Sequence, residues 1–201
     1  MADRVEDAVA ALRAGELAIV PTDTVYGLAA SATSEEAVRR LYRAKGRETP
    51  QPTALVAAAV ADLPRYLPEL AGRARAVADA LFPGPYTLIV PNPARRYPWL
   101  TGARAETLGV RVPAVAGAAL AVLAGAGAVA ATSANLPGGR DPHRLDDVPP
   151  ELRDAAAALV DGGELPGTPS TVVDLTGAEP RIVREGAVPA AVALRAIASV
   201  L

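Results

Sequence analysis

From Val112 to Gly139 the chain carries no charged residue. The stretch is longer than the roughly 20 apolar residues that cross a bilayer, so it belongs either in a membrane or in a protein core. Its makeup decides between them. Alanine and glycine dominate rather than leucine and isoleucine, and Pro113, Gly125, Gly127 and Pro137 divide it into what reads as helix, turn, strand and loop. A buried helix followed by a buried strand is expected, with no membrane association. A chain of 201 residues, 51% of them hydrophobic and 21% charged, can bury a core as one domain over 1–201. The absence of cysteine excludes disulfides, zinc–thiolate sites and thiol nucleophiles, and suits a reducing compartment. Met1-Ala-Asp-Arg-Val-Glu-Asp7 places acids where a secretion signal needs a basic and then an apolar run, so a cytoplasmic location is expected. The formal charge of −2 gives no overall attraction to nucleic acid but leaves room for one local cationic cleft.

Helical spacing of Val5, Ala8, Val9 and Leu12 stops at Gly15, and Leu17 to Val20 follows as a short buried strand. Thr33 with Glu36 forms a capping box opening a helix that ends near Lys45 and Gly46. Further strands are expected at Thr53–Val60, Tyr86–Val90, Leu108–Val112, Ala128–Thr132, Thr171–Leu175 and Arg181–Val183. Helices are expected at Glu69–Leu81, at Ala114–Ala124 with Pro113 in the first turn, at Glu151–Val160 and at Ala190–Leu201. This alternation predicts an α/β fold with a mixed sheet and no internal repeat.

Nineteen of the twenty basic residues are arginine, and the one lysine, Lys45, stands two residues before Arg47. A compact ammonium beside a planar guanidinium suits a polyphosphate, while a lysine ending a helix also complements the helix dipole. Arg111, inside the apolar run Gly109-Val-Arg-Val-Pro113, needs an anion, either an Asp or Glu of the protein or a substrate carboxylate; Arg184 poses the same question. Hydroxyls cluster beside three strands, at Thr22 and Thr24 flanking Asp23, at Thr132-Ser-Ala-Asn135 and at Ser170-Thr171, where α/β sheets bind ligands or where turns satisfy backbone donors. Arg39, Arg40 and Arg43 read as a solvated helix face. Gly125-Ala-Gly-Ala-Val-Ala130 has the spacing of a dinucleotide fingerprint, but it follows a helix and opens a strand, the reverse of what that site requires. The lone histidine, His143, lies in a Pro- and Gly-rich loop with no serine triad around it, and no His/Asp/Glu cluster is spaced for a resident metal.

Taken in order, Pro21-Thr-Asp-Thr-Val-Tyr-Gly-Leu28, Lys45-Gly-Arg47, Pro83-Gly-Pro85, Val110-Arg-Val-Pro113, Ser133-Ala-Asn135 and Ser170-Thr-Val-Val-Asp174 resemble the YrdC-like family, which includes L-threonylcarbamoyl-AMP synthases. The resemblance implies a twisted mixed parallel and antiparallel sheet flanked by helices around a central cationic cleft, in the short single-domain form. It implies nucleotidyltransferase chemistry. L-threonine, bicarbonate and ATP, with Mg2+, would yield threonylcarbamoyl-AMP and pyrophosphate for N6-threonylcarbamoyladenosine in tRNA, passed on to downstream transfer proteins. By analogy Thr24, Arg111, Ser133 and Ser170 surround threonine, Lys45, Arg47, Gln51, Thr107, Asn135, His143 and Arg184 surround ATP, and Lys45 and Arg47 act at the phosphates. The chain departs from the family at Glu48 and Gln51, where an Asn-Pro-Leu stretch is common, and at Val56, where some relatives carry histidine. A non-catalytic module binding double-stranded RNA or ribosomes through the same cleft is the other reading, as is a related enzyme with a different amino-acid substrate.

Overall fold

Among the described residues nine short strands make one sheet in the order β7-β1-β2-β6-β3-β5-β4-β8-β9. The computed structural model describes residues 2–46 and 51–201. The helices are α1 (Ala2–Arg13), α2 (Glu35–Ala44), α3 (Leu63–Tyr66), α4 (Gly72–Leu81), α5 (Gly117–Ala126), α6 (Pro150–Ala155) and α7 (Ala190–Ala198). The strands are β1 (Ala18–Pro21), β2 (Tyr26–Ser31), β3 (Ala54–Val56), β4 (Tyr86–Pro91), β5 (Thr107–Arg111), β6 (Val129–Ser133), β7 (Ala158–Leu159), β8 (Thr171–Asp174) and β9 (Arg181–Arg184). Pairing is parallel for β1/β7, β3/β5 and β4/β8 and antiparallel elsewhere, the mixed sheet expected from the sequence.

Side chains alternate across the sheet because successive Cβ atoms point to opposite faces. Leu17, Ile19, Leu28, Leu55, Leu88, Leu108, Val110 and Val173 point to one face, where Val38 and Leu41 of α2, Val77 and Leu81 of α4 and Ile197 of α7 bury them. Ala18, Val20, Ala29, Val56 and Val129 point to the other, under Ala8 and Leu12 of α1 and Val122 and Leu123 of α5. Truncating one of these leucines to alanine costs about 2–5 kcal/mol. The second helix layer covers β7 and β1 and only the nearer parts of β2, β6 and β3, as far as Ala29, Val129 and Val56. Beyond it, the same face at Gly27 of β2, Ala131 of β6 and Ala54 of β3, and across β5, β4 and β8, becomes the floor of a cavity.

Several boundaries differ from the sequence expectation. The α2 cap is Ser34, whose hydroxyl accepts from Ala37 N at 3.2 Å, rather than Thr33. The expected helix over Glu151–Val160 stops at Ala155, and Ala158–Leu159 pairs with β1 instead, since a strand's ladder there outweighs alanine's helix propensity. The strand expected over Thr53–Val60 shortens to β3, and α5 starts three residues later than expected, after a tight turn in which Val115 N donates to Pro113 O at 3.0 Å and an extended Ala116. β2 was not expected: Tyr-Gly-Leu-Ala-Ala-Ser holds no β-branched residue, and its strand state rests on pairing with β1 and β6. Both fingerprint glycines are structural. A Cβ on Gly125 would sit 2.7 Å from Val9 Cγ2, so glycine lets α5 meet α1, and Gly127 ends α5 at φ +81°. Among the described residues no helix is long and apolar enough to cross a membrane.

Tyr26, the first residue of β2, is fully buried. Its hydroxyl donates to Gly163 O at 2.8 Å, accepts from Gly162 N at 2.9 Å and lies 3.1 Å from Asp161 Oδ1, pinning the chain that follows β7. Burial pushes its pKa from 10.0 up to about 12, with Asp161 adding to the shift and the Gly162 N–H opposing it. A folded-state pKa above the unfolded value means stability that is complete below pH 10 and lost as pH rises through 12. Tyr26→Phe is expected to cost about 1 kcal/mol at neutral pH, and urea melts should show that gap to wild type narrowing between pH 10 and 12.

Candidate functional site

The uncovered part of the sheet encloses a cavity of about 390 Å³, within the roughly 300–1,000 Å³ range of small-molecule sites. Its floor is flat because the inward positions of four adjacent strands are small: Gly27, Ala131, Ala54 and Gly109. The period-two rule also accounts for Arg111. In β5, Leu108 and Val110 enter the core while Thr107, Gly109 and Arg111 face the cavity. Among the described lining residues three are arginines, Arg104, Arg111 and Arg184, and one is a carboxylate, Asp141.

Arg111 has a protein partner. Its Nη2 donates to Asp23 Oδ1 and, at 2.8 Å, to Thr24 Oγ1, while Asp23 Oδ2 accepts from Ala114 N at 2.9 Å. Asp23 and Arg111 belong to segments on either side of β6 and β3, three inter-strand spacings or about 14 Å apart, so the loop after β1 must arch over the sheet to meet β5. The pair is nearly out of solvent, at 8% and 11% side-chain exposure. Arg111 Nε is buried with no hydrogen-bond partner among the described residues.

Arg184 reaches the cavity through a β-bulge. Val172 pairs with Arg184 but Val173 with Ile182, which leaves Val183 as the extra residue. Opposed residues share a face, so the bulge turns Arg184 to the side of Val172, which lines the cavity. Its guanidinium donates to Ser170 O at 2.8 and 3.2 Å and to Ser170 Oγ at 3.2 Å, and Thr87 Oγ1 lies 2.9 Å from that same hydroxyl. Burial draws the Arg184 pKa below its ordinary value; Asp141 opposes the shift and Arg111 adds to it.

Strand register separates two ends. Arg111, Thr87, Ser170 and Arg184 lie toward one, and Ser133, Thr107 and Arg104 toward the other. Lys45 lies behind the second end, only 1% exposed. Its ammonium donates to Ser133 O at 2.6 Å, to Asn135 Oδ1 at 2.9 Å and to Asn135 O, tying the end of α2 to the end of β6. Asn135 Oδ1 also accepts from Ser133 Oγ at 2.9 Å, and its Nδ2 donates to Gly139 O at 2.8 Å and Asp141 Oδ1 at 3.2 Å.

Thr24, Thr107, Arg111, Ser133, Ser170 and Arg184 therefore converge on one cavity. Lys45 and Asn135 form the scaffold behind it. Gln51 lies outside the wall, exposed, with its carbonyl accepting from Tyr42 Oη at 2.9 Å. His143 also lies outside, 47% exposed, with Asp147 at 3.5 Å and Glu164 at 3.8 Å; its carbonyl accepts from Leu165 N at 2.7 Å. Arg47 falls outside the described residues. Sequence reasoning missed Asp141, Thr87 and Arg104. Thr87 alternates with core-facing Leu88 and could have been found by that pattern; nothing in the sequence marks the other two. Among the described residues no group of three or more His, Asp or Glu could hold a metal ion.

A mixed sheet with helices on one face and a half-covered second face bearing a polar cavity defines the class. A solved structure described as Pyrococcus abyssi Sua5 complexed with L-threonine superposes with a TM-score of 0.83 at 32% identity, covering 98% of this chain and 58% of that one. Escherichia coli YciO gives 0.80 at 27% identity, covering 94% and 92%. The family model named for Sua5, YciO and YrdC, and described as "Telomere recombination", matches residues 10–186, and the chain belongs to that family. A threonylcarbamoyl-AMP synthase of Pyrococcus abyssi is 35% identical over 179 residues, 89% of this chain and 52% of the relative. A putative threonylcarbamoyl-AMP synthase of Mycobacterium tuberculosis is 35% identical over 182 residues, 90% and 83%. The chain thus spans about half the length of the archaeal relative.

Lys45→Ala would strip a buried ammonium from carbonyls that have no other charged donor on these bonds. It is expected to lower unfolding free energy by about 2–4 kcal/mol in urea titrations, where a surface phosphate contact would change it by under ~0.5 kcal/mol.

Proposed function

We propose that this chain forms L-threonylcarbamoyl-AMP and pyrophosphate from L-threonine, bicarbonate and ATP, a nucleotidyl transfer that begins N6-threonylcarbamoyladenosine synthesis for tRNA. The observation that carries the reading is the convergence of Arg111, Thr24, Ser133 and Ser170 on one cavity, in a fold shared with a relative described as bound to L-threonine. The relatives named threonylcarbamoyl-AMP synthase support it further.

The threonine amine adds to the carbon of bicarbonate with loss of water, giving a carbamate. A carbamate oxygen then attacks the α-phosphorus of ATP, the bond to the bridging oxygen breaks and pyrophosphate departs, leaving a mixed anhydride. Arg111 would orient the amino-acid carboxylate through the N–H groups of its guanidinium that Asp23 and Thr24 leave open, and the hydroxyls of Thr24 and Ser170 would recognise polar groups beside it. Arg184, with Arg104 and Arg47, would offset charge on the phosphates, in a site whose small floor residues let two reactants lie close together. Lys45 acts from behind by holding the Ser133 to Asn135 turn. Divalent magnesium enters with the nucleotide. With Asp141 the single carboxylate among the described lining residues, phosphate oxygens rather than the protein would supply most of its ligands. The product would pass to proteins that transfer it to tRNA.

With bicarbonate and Mg-ATP present, pyrophosphate release should depend on L-threonine, and Arg111→Ala should raise the threonine KM at least tenfold while leaving the ATP KM within about twofold, a loss of some 1.4 kcal/mol or more in binding. Threonine-independent release, or equal effects on both substrates, would remove the assignment.

A further inference from the structure

A cavity that takes both a carboxylate and a polyphosphate faces a sorting problem. An unpaired arginine forks onto phosphate as readily as onto carboxylate, so a bare Arg111 would also collect phosphate groups at the amino-acid end. Asp23 changes what Arg111 offers. One oxygen takes Arg111 Nη2 and the other takes Ala114 N at 2.9 Å, so the carboxylate is fixed at both ends and cannot rotate aside. Thr24 Oγ1, 2.8 Å from the same Nη2, uses the remaining donor capacity on that nitrogen. What remains is the buried Nε–H and the two N–H groups of Nη1, which make no hydrogen bond to the described residues, on a pair whose net charge is zero.

We propose that Asp23 is a specificity-determining residue that makes the Arg111 guanidinium accept a singly charged carboxylate and reject phosphate. The inference rests on the amino-acid role proposed for Arg111. A monoanion loses one unit of attraction to the neutralised pair, whereas a phosphate near neutral pH carries up to two charges and loses correspondingly more, besides meeting the Asp23 oxygens as a repelling neighbour. The second carboxylate by the cavity, Asp141, acts on Arg184. Arg184, toward the same end, is itself anchored on Ser170 and has no ion-pair partner among the described residues, so the discrimination belongs to the Arg111 guanidinium and not to its neighbour.

Calorimetric titration of inorganic phosphate, with no nucleotide present, into wild type, Asp23→Asn and Asp23→Glu tests this. Removing one negative charge from beside a dianion site should tighten phosphate binding about tenfold in Asp23→Asn, with Asp23→Glu close to wild type and Arg111→Gln on the Asn background abolishing the gain. A structural role alone can weaken binding but cannot create it. No gain of phosphate affinity in a folded Asp23→Asn protein overturns the proposal, and so does an equal gain in Asp23→Glu. Should Asp23→Asn fail to fold, Asp23→Ser, which keeps an acceptor for Ala114 N, carries the same comparison. A parallel L-threonine titration of wild type separates the two readings: absent threonine binding defeats the amino-acid role of Arg111, whereas threonine binding without the phosphate gain defeats the role of Asp23 alone.

Discussion

The buried pair of Asp23 and Arg111 decides the geometry of this site. A guanidinium and a carboxylate both nearly removed from water are costly to hold apart, and breaking such a pair from one side costs about 3–5 kcal/mol. Here the pair joins the loop after β1 to the end of β5 over two intervening strands. It thereby fixes the height of the loop bearing Thr22 and Thr24 above the floor. A second clamp works at the opposite end, where Lys45 gathers Ser133 and Asn135. Two cations, one paired with a carboxylate and one with carbonyls, hold the walls.

Between those clamps the sheet does something unusual for an α/β domain: it leaves half of one face without helices. Small inward residues make this tolerable. Gly27, Ala54, Gly109 and Ala131 expose little apolar area, so the floor can stay open without the penalty that leucines there would bring. On the opposite face the same strands carry Leu28, Leu55, Leu108, Val110 and Ala130, all fully or almost fully buried. The alternation of large and small along each strand therefore divides labour, one face for stability and the other for a ligand.

Much of this was legible in the chain, and the parts that were not have physical reasons. Strand ends bearing hydroxyls, the uncharged helix and strand after Val112, and the need of Arg111 for an anion could all be read locally. That the anion is Asp23 could not, because the partners are 88 residues apart in sequence and meet only through the sheet order. Lys45 invited a phosphate reading through its rarity, but its burial is set by β6, which lies far along the chain. The turn of Arg184 into the cavity depends on the bulge at Val183, a one-residue register shift that leaves no mark in hydrophobic pattern. Ala158 and Leu159 look helical by propensity and are a strand by pairing.

The most direct test of the account is a crystal structure of the protein with L-threonine and a non-hydrolysable ATP analogue. It should show the threonine carboxylate within hydrogen-bond distance of the Arg111 guanidinium, Asp23 still bound to Arg111, and the phosphates away from that pair and against the other cavity cations. A threonine bound elsewhere, or phosphate oxygens on Arg111 with Asp23 displaced, would contradict it.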